Sequence, residues 1–234
     1  MRTEYLKPVT EAAGVAGSGR WAAINSQIKR LCANPGVGNA WRVEVLSSLC
    51  ASVLYEYQSA KHAYEDPASE VALIAWRARN LLELSVWSIY CGKSEANIRT
   101  FYADGGRDVL GLLGAFEKWA KATEGDHGNA IAGRQAKKDL VARAAAEGVE
   151  SLDGAYKLVS DAAKEVGMGA NFALFNKLLS KFAHPTAMQV LAPPDDGKTK
   201  LQKEIFFSHA CLFFNGAVSS LETQVDQAFE GVTG

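Results

Sequence analysis

The sequence is poor in the residues that mark many well-defined classes of protein. It has 6 prolines and 4 cysteines in 234 residues, and no two cysteines form a Cys-x-x-Cys pair. Single cysteines in apolar surroundings are typical of small core residues in a reducing compartment, so neither a disulfide framework nor a zinc knuckle is expected. The N-terminus lacks the continuous apolar segment of a secretory signal, and we therefore expect a cytoplasmic protein.

An excess of charge of one sign is also missing. Lys and Arg number 25 against 26 Asp and Glu, which gives a formal net charge of −1. A balanced protein does not attract polyanions through its overall field, so any contact with nucleic acid needs a local basic patch. Alternating strand patterns, phosphate-binding loops and the Gly-x-Ser-x-Gly elbow of hydrolases are absent as well. We expect no metal site and no cofactor.

What the sequence does contain is helical periodicity along almost its entire length. The run from Val71 to Cys91 is apolar on every side apart from three charged residues, so we expect a helix in the centre of the core. Asp66 is a good N-cap and Pro67 a good first residue for this helix. A second long helix is expected from about Thr199 to Phe229.

Further patterns complete the expected architecture. The residues from Ser94 to Ala103 are predicted to form a short helix that an Asp-Gly-Gly sequence at 104–106 ends, and Ser151 to Val166 a longer one. Helical patterns also surround the five tryptophans, for which we predict core packing: Trp21, Trp41, Trp76, Trp87 and Trp119. We therefore predict an all-α protein, a single helical bundle of about seven to nine helices over residues 1–234, with a flexible lead-in at about 1–17.

One polar cluster lies inside the central helix. Arg79 and Glu83 are four residues apart, so they share a helical face and can pair. His184, which ends a later apolar helix, is a candidate partner for them. The three residues form either a clamp that fixes helix register or a general acid-base unit in which Glu83 orients His184 and Arg79 binds phosphate. If the pair is buried, Glu83→Ala destabilises the fold by about 3–5 kcal/mol.

The residues of this cluster also carry a family resemblance. Arg-Asn-Leu-Leu-Glu at 79–83 on a central helix, with Phe-Ala-His-Pro at 182–185 at a later helix end, resembles the HEPN-like helical bundles. The resemblance implies an interaction module or a metal-independent RNase that works as a dimer, with links to RNA or to defence and stress functions. His184 would be the acid-base of such an RNase. Lys177 takes the place of the arginine that the catalytic members carry, and a lysine does not reproduce its planar fork against a phosphate.

A second group of charges lies on a later helix. Arg134, Lys137, Lys138 and Arg143 form a basic face that is either an RNA contact or an ordinary solvated surface. Apolar helix faces indicate a homo-oligomer, and we expect no membrane contact because charges interrupt the apolar runs. Our leading interpretation is a non-catalytic or weakly catalytic interaction module. The alternatives are a metal-independent RNase using His184 and a small-molecule-binding helical bundle with an apolar pocket.

Overall fold

The computed structural model describes residues 8–14, 19–34, 40–122, 127–149, 151–184 and 196–233. Within these ranges the chain forms nine helices and no strand, namely a short helix at residues 8–14 and eight that are numbered here in chain order. These are α1 (Gly19–Ala33), α2 (Ala40–Glu65), α3 (Val71–Lys93), α4 (Glu95–Ala122), α5 (His127–Ala146), α6 (Val159–Glu165), α7 (Gly169–Ala183) and α8 (Asp196–Thr233). The prediction of an all-α bundle of seven to nine helices is confirmed. None of these helices combines the length and the apolar character needed to cross a membrane.

The helices group into two compact units. Unit 1 contains the described residues of Met1–Lys93 and Val159–Gly234, and unit 2 contains those of Ser94–Leu158. Unit 1 therefore holds α1 to α3 and α6 to α8, while unit 2 holds α4 and α5. A single domain over residues 1–234 stays a prediction. Of the predicted flexible lead-in, residues 8–14 are helical, and residues 1–7 and 15–17 lie outside the described residues.

The core of unit 1 is built around α8. This 38-residue helix packs against α1, α2 and α3. Tyr57 stacks on Phe214 with ring centroids 4.1 Å apart, and Tyr64 stacks on Phe207 at 4.3 Å. Because residue numbers rise along α2 as they fall along α8, the two helices are antiparallel. Their aromatic rings supply much of the apolar contact between them.

The predicted core helix is α3, which runs parallel to α8. Lys203 Nζ lies 3.1 Å from the carbonyl oxygen of Pro67, just before α3 begins, and Gln224 Nε2 lies 2.8 Å from that of Ser88, near its other end. Most apolar side chains of α3 are buried, but Trp76 is 42% exposed. The helix is therefore central without being enclosed on all sides, and the core prediction for Trp76 is wrong.

The direction of α7 is opposite to that of α3. Phe175 packs against His209 and Phe182 packs against Phe206, with ring centroids 4.8 Å apart in both pairs. These two contacts make α7 antiparallel to α8. Since α3 is parallel to α8, α7 is also antiparallel to α3, which it contacts directly.

The predicted start of the central helix is wrong by several residues. Asp66 does not cap α3, which begins at Val71. Its carboxylate instead accepts hydrogen bonds of 2.9 Å from the amide of Ala68 and the hydroxyl of Ser69. These hydrogen bonds lower the pKa of Asp66, that from the Ala68 amide most of all. The residues after Asp66 therefore form a capped turn between α2 and α3.

In unit 2, the Asp-Gly-Gly sequence at 104–106 does not end a helix. Asp104 is buried, and its carboxylate accepts hydrogen bonds from the Arg107 guanidinium and the Lys157 amide. A Cβ at Gly106 would lie 3.0 Å from a methyl group of Leu152, so the glycine gives room for close packing. These contacts hold residues 151–158 against α4. The helix predicted from Ser151 to Val166 is accordingly restricted to α6.

Candidate functional site

The predicted ion pair between Arg79 and Glu83 forms on α3, but the third residue of the cluster is Asn176 and not His184. Arg79 Nη2 lies 2.9 Å from Glu83 Oε1, and Arg79 Nε donates a 2.9 Å hydrogen bond to Oδ1 of Asn176 on α7. The side chains of Arg79 and Glu83 are 28% and 31% exposed. Because water reaches both ions, the cluster is a half-buried tie between α3 and α7 rather than a dry salt bridge.

His184 and Lys177 lie apart from this pair. His184 is exposed at the C-terminal end of α7, eight residues beyond Asn176 and so about 12 Å farther along the helix. Because α7 is antiparallel to α3, this displacement leads away from Glu83, which follows Arg79 in the chain. No hydrogen bond or ion pair joins His184 to Arg79 or Glu83, all three of which are described, and Lys177 is exposed. A catalytic role for these residues stays a prediction.

The predicted basic face on α5 is partly neutralised within unit 2. Lys137 Nζ lies 2.7 Å from Glu117 Oε2 on α4, and this hydrogen bond is the main cause of a lowered pKa for Glu117. Arg134, Lys138 and Arg143 are exposed. Lys137 therefore ties α5 to α4.

Sequence reasoning missed a row of exposed apolar side chains on α4. Val109, Leu112, Phe116 and Trp119 are 45%, 58%, 58% and 66% exposed. Their spacing of three, four and three residues places them on one side of the helix, and we call them the α4 stripe. The core prediction for Trp119 is therefore wrong. The spacing was visible in the sequence, but the same spacing describes a buried face.

A second missed feature joins α2 to α3. Both carboxylate oxygens of Glu56 lie 3.1 Å from Arg77 Nη1, and the two side chains are 13% and 16% exposed. The Arg77 guanidinium also lies 4.6 Å from the ring centroid of Trp76 and 5.4 Å from that of Tyr55. The positive charge is thus balanced by a carboxylate and covered by two aromatic rings. This cluster fixes the packing of α2 and α3.

An open groove lies between α1 and α2 in unit 1. Its volume is about 480 Å³, and its lining combines apolar side chains with a few polar ones. Cys32 in the groove is exposed, which corrects the core prediction for that cysteine, whereas Cys50 is buried. The lining residues include Trp21, Asn25, Ile28, Cys32, Cys50, Ala51, Leu54 and Tyr55. This groove has the size of a small-molecule site.

Metal ligands do not cluster in the part of the chain that the structure describes. Within those ranges, no three or more His, Cys, Asp and Glu side chains are placed to hold a metal ion together. Comparison with protein-family models, with curated proteins and with solved structures found no match to this chain.

Proposed function

We propose that this protein is a helical interaction module that binds another protein chain through the α4 stripe. The observation that carries the proposal is the exposure of four large apolar side chains on one side of α4, between 45% and 66%. Contiguous apolar patches of several hundred Å² mark interaction sites on soluble proteins, because leaving them in water is unfavourable. The two aromatic members, Phe116 and Trp119, are of the types that contribute most to binding interfaces.

The HEPN-like class remains part of this proposal, through the resemblance of residues 79–83 and 182–185. Within that class we favour a module without strong catalysis over an RNase. A general acid-base pair needs its groups within hydrogen-bond reach, and His184 lies at the far end of α7 from Glu83. The half-buried tie of Arg79 to Asn176 fits a structural role for the cluster.

One experiment separates the module from the RNase. Single-stranded RNA is incubated in EDTA with the parent protein, with His184→Ala and with His62→Ala, a matched change at another exposed histidine at a helix end. We expect no cleavage that depends on His184. Cleavage by the parent and by His62→Ala, together with its loss in His184→Ala, would replace the module by a metal-independent RNase.

A second experiment tests the surface directly. A photo-crosslinking phenylalanine analogue is placed at Leu112 in the α4 stripe or at Leu174, which is 62% exposed in unit 1 and serves as the control. After irradiation of the cells that produce the protein, we expect covalent adducts with a protein chain from position 112 and few from position 174. The mass of the adduct identifies the partner. Equal yields at the two positions would refute the stripe as a binding surface.

Binding of a small apolar molecule is a second candidate function, favoured by the groove between α1 and α2. Its volume of about 480 Å³ lies within the roughly 300–1,000 Å³ of ligand pockets. An apolar fluorescent dye should bind the parent, lose affinity in Ala51→Trp, which fills the groove, and keep it in Leu112→Glu. Loss of dye binding only in Leu112→Glu would assign the dye to the α4 stripe instead.

A further inference from the structure

We infer that the α4 stripe is covered by the α4 helix of a second copy of this chain, with the two helices antiparallel. This inference rests on the proposed function and names the partner of that surface. It follows from a second row of residues beside the stripe. Each member of this flanking row comes one residue before a member of the stripe, so the row has the same spacing of three, four and three residues. All four members are exposed: Asp108, Gly111, Ala115 and Lys118.

The order of residues in this flanking row fits an antiparallel pair. In an antiparallel pair the two helices face each other with the same flank. In a parallel pair, one flank of the first helix faces the opposite flank of the second. A twofold axis at the centre of the row, near residue 113, brings Asp108 of each copy to Lys118 of the other. Gly111 of each copy meets Ala115 of the other by the same symmetry. The row is thus complementary to itself in charge and in size.

The charges select the direction of pairing. Asp108 also accepts a hydrogen bond from the Tyr156 hydroxyl. Desolvation raises the pKa of Tyr156 most, followed by the Asp108 charge and this hydrogen bond. A parallel pair would instead place this row against the opposite flank of the other helix, which carries Leu110, Leu113, Glu117 and Ala120 and offers Asp108 no basic partner. Only the antiparallel pair therefore gives Asp108 a partner of opposite charge within this row. The contact between Asp108 and Lys118 occurs twice in the antiparallel pair, because a twofold symmetric interface repeats every contact.

The small residues point to a close helix–helix contact. A glycine inside a helix lowers its stability relative to alanine. Packing within the chain does not require a glycine at position 111, since a Cβ there would meet only the Tyr156 hydroxyl at an ordinary 3.8 Å. Small residues at 111 and 115 allow the backbones of two helices to approach closely. The small side chains at 111 and 115 therefore fit a close pair of helices.

The available area sets the strength of the pair. Phe116 and Trp119, each more than half exposed, offer about 100–150 Å² apiece. With Leu112, Val109 and the flanking row, we estimate that each copy contributes about 400 Å², so that the pair buries about 800 Å². Specific stable interfaces bury about 1,200 Å² or more. We therefore expect a reversible dimer that forms in the micromolar range.

Sedimentation equilibrium of the full chain from about 1 to 300 µM tests this inference, a span that brackets micromolar dissociation. The parent should shift from monomer to dimer across this range, and Leu112→Glu should remain monomeric. Leu174→Glu is the matched control, a similarly exposed leucine outside the stripe that should dimerise like the parent. Circular dichroism of each variant confirms that it is folded.

A charge exchange tests the direction of pairing. Asp108→Lys and Lys118→Asp should each raise the dimer Kd by about tenfold, and the double variant should restore it. A monomeric parent, or dimers that survive Leu112→Glu, would overturn the inference. Failure of the double variant to restore the Kd would overturn the antiparallel register. A crosslink from position 112 to a different protein, with a monomeric parent, would refute the dimer alone and leave the proposed function standing.

Discussion

The side-chain amide of Gln224 donates a 2.8 Å hydrogen bond to the backbone carbonyl oxygen of Ser88 in the core of unit 1. The hydroxyl of Ser220 donates to the same oxygen at 3.0 Å, so α8 is tied to the backbone of α3. Gly92 makes room for this contact. A Cβ at that position would lie 3.1 Å from both Gln224 Nε2 and Ser220 Oγ.

Replacing Gly92 should therefore disturb the contact between α3 and α8. We expect Gly92→Ala to lower the free energy of unfolding by about 1–3 kcal/mol, because Gln224 is buried and held by its hydrogen bonds. Gly216→Ala is the control, since a Cβ there would meet nothing within 4 Å, and it should stabilise the protein by about 0.5–1 kcal/mol. Urea denaturation measures both. Equal stability of the two variants would show that the contact tolerates a methyl group.

The two ion pairs of α3 should differ in strength according to their burial. Glu56→Ala leaves Arg77 with its charge largely out of water, and we expect a loss of about 2–3 kcal/mol. Glu83→Ala should cost only about 1 kcal/mol, below the 3–5 expected for a buried pair, because its ions are 28% and 31% exposed. Chemical denaturation of both variants gives the order. A larger loss for Glu83→Ala would mean that the Arg79 pair is the drier one.

The four cysteines should differ in reactivity. Burial raises the pKa of Cys50, Cys91 and Cys211 to about 12, so these thiols stay protonated and covered, whereas Cys32 is exposed. A disulfide reagent at pH 8 should therefore modify one thiol per folded chain rapidly and all 4 in denaturant. Cys32→Ser should abolish the rapid reaction. Rapid reaction of more than one thiol in the folded protein would contradict the packing of unit 1.

His209 should make the stability of the fold depend on pH. Burial lowers its pKa from the ordinary 6.5, opposed in part by the 2.8 Å hydrogen bond from Nδ1 to the carbonyl oxygen of Ile205. With a lowered folded-state pKa, the unfolded chain binds the proton first as pH falls below 6.5. Stability should therefore decrease from pH 7 to pH 5, and less steeply in His209→Gln. An NMR titration of His209 with a midpoint at 6.5 would remove this pH dependence, and a midpoint above 6.5 would reverse its sign.

The sequence allowed the helices to be predicted because helical periodicity is a local property. The pairing of Arg79 with Glu83 was equally local, since both lie one turn apart on α3. Asn176 as their third partner depends on the register between α3 and α7, which no local pattern records. Chemistry alone favours His184 as the third partner, because an imidazole readily hydrogen-bonds to a carboxylate. His184 instead lies eight residues beyond Asn176, about 12 Å farther along α7.

The glycines and the apolar rows show a different limit of sequence reasoning. At 104–106 the sequence has the form of a helix end, but the buried Asp104 carboxylate is satisfied by Arg107 and by the Lys157 amide from a distant segment. Tertiary hydrogen bonds therefore override a local signal. Phe116 and Trp119 show the converse, because an apolar row has the same spacing whether it covers the chain's own core or faces outward.

The position of α8 in the chain has a consequence for synthesis. Tyr64 on α2 stacks against Phe207 on α8, which is translated 143 residues later. At a translation rate of about 5–20 residues per second, roughly 7–30 s pass between the synthesis of Tyr64 and that of Phe207. During that interval α2 and α3 have no α8 to cover their apolar sides. A nascent chain arrested before residue 196 should therefore bind a chaperone that recognises exposed apolar helices, and release it once α8 has emerged.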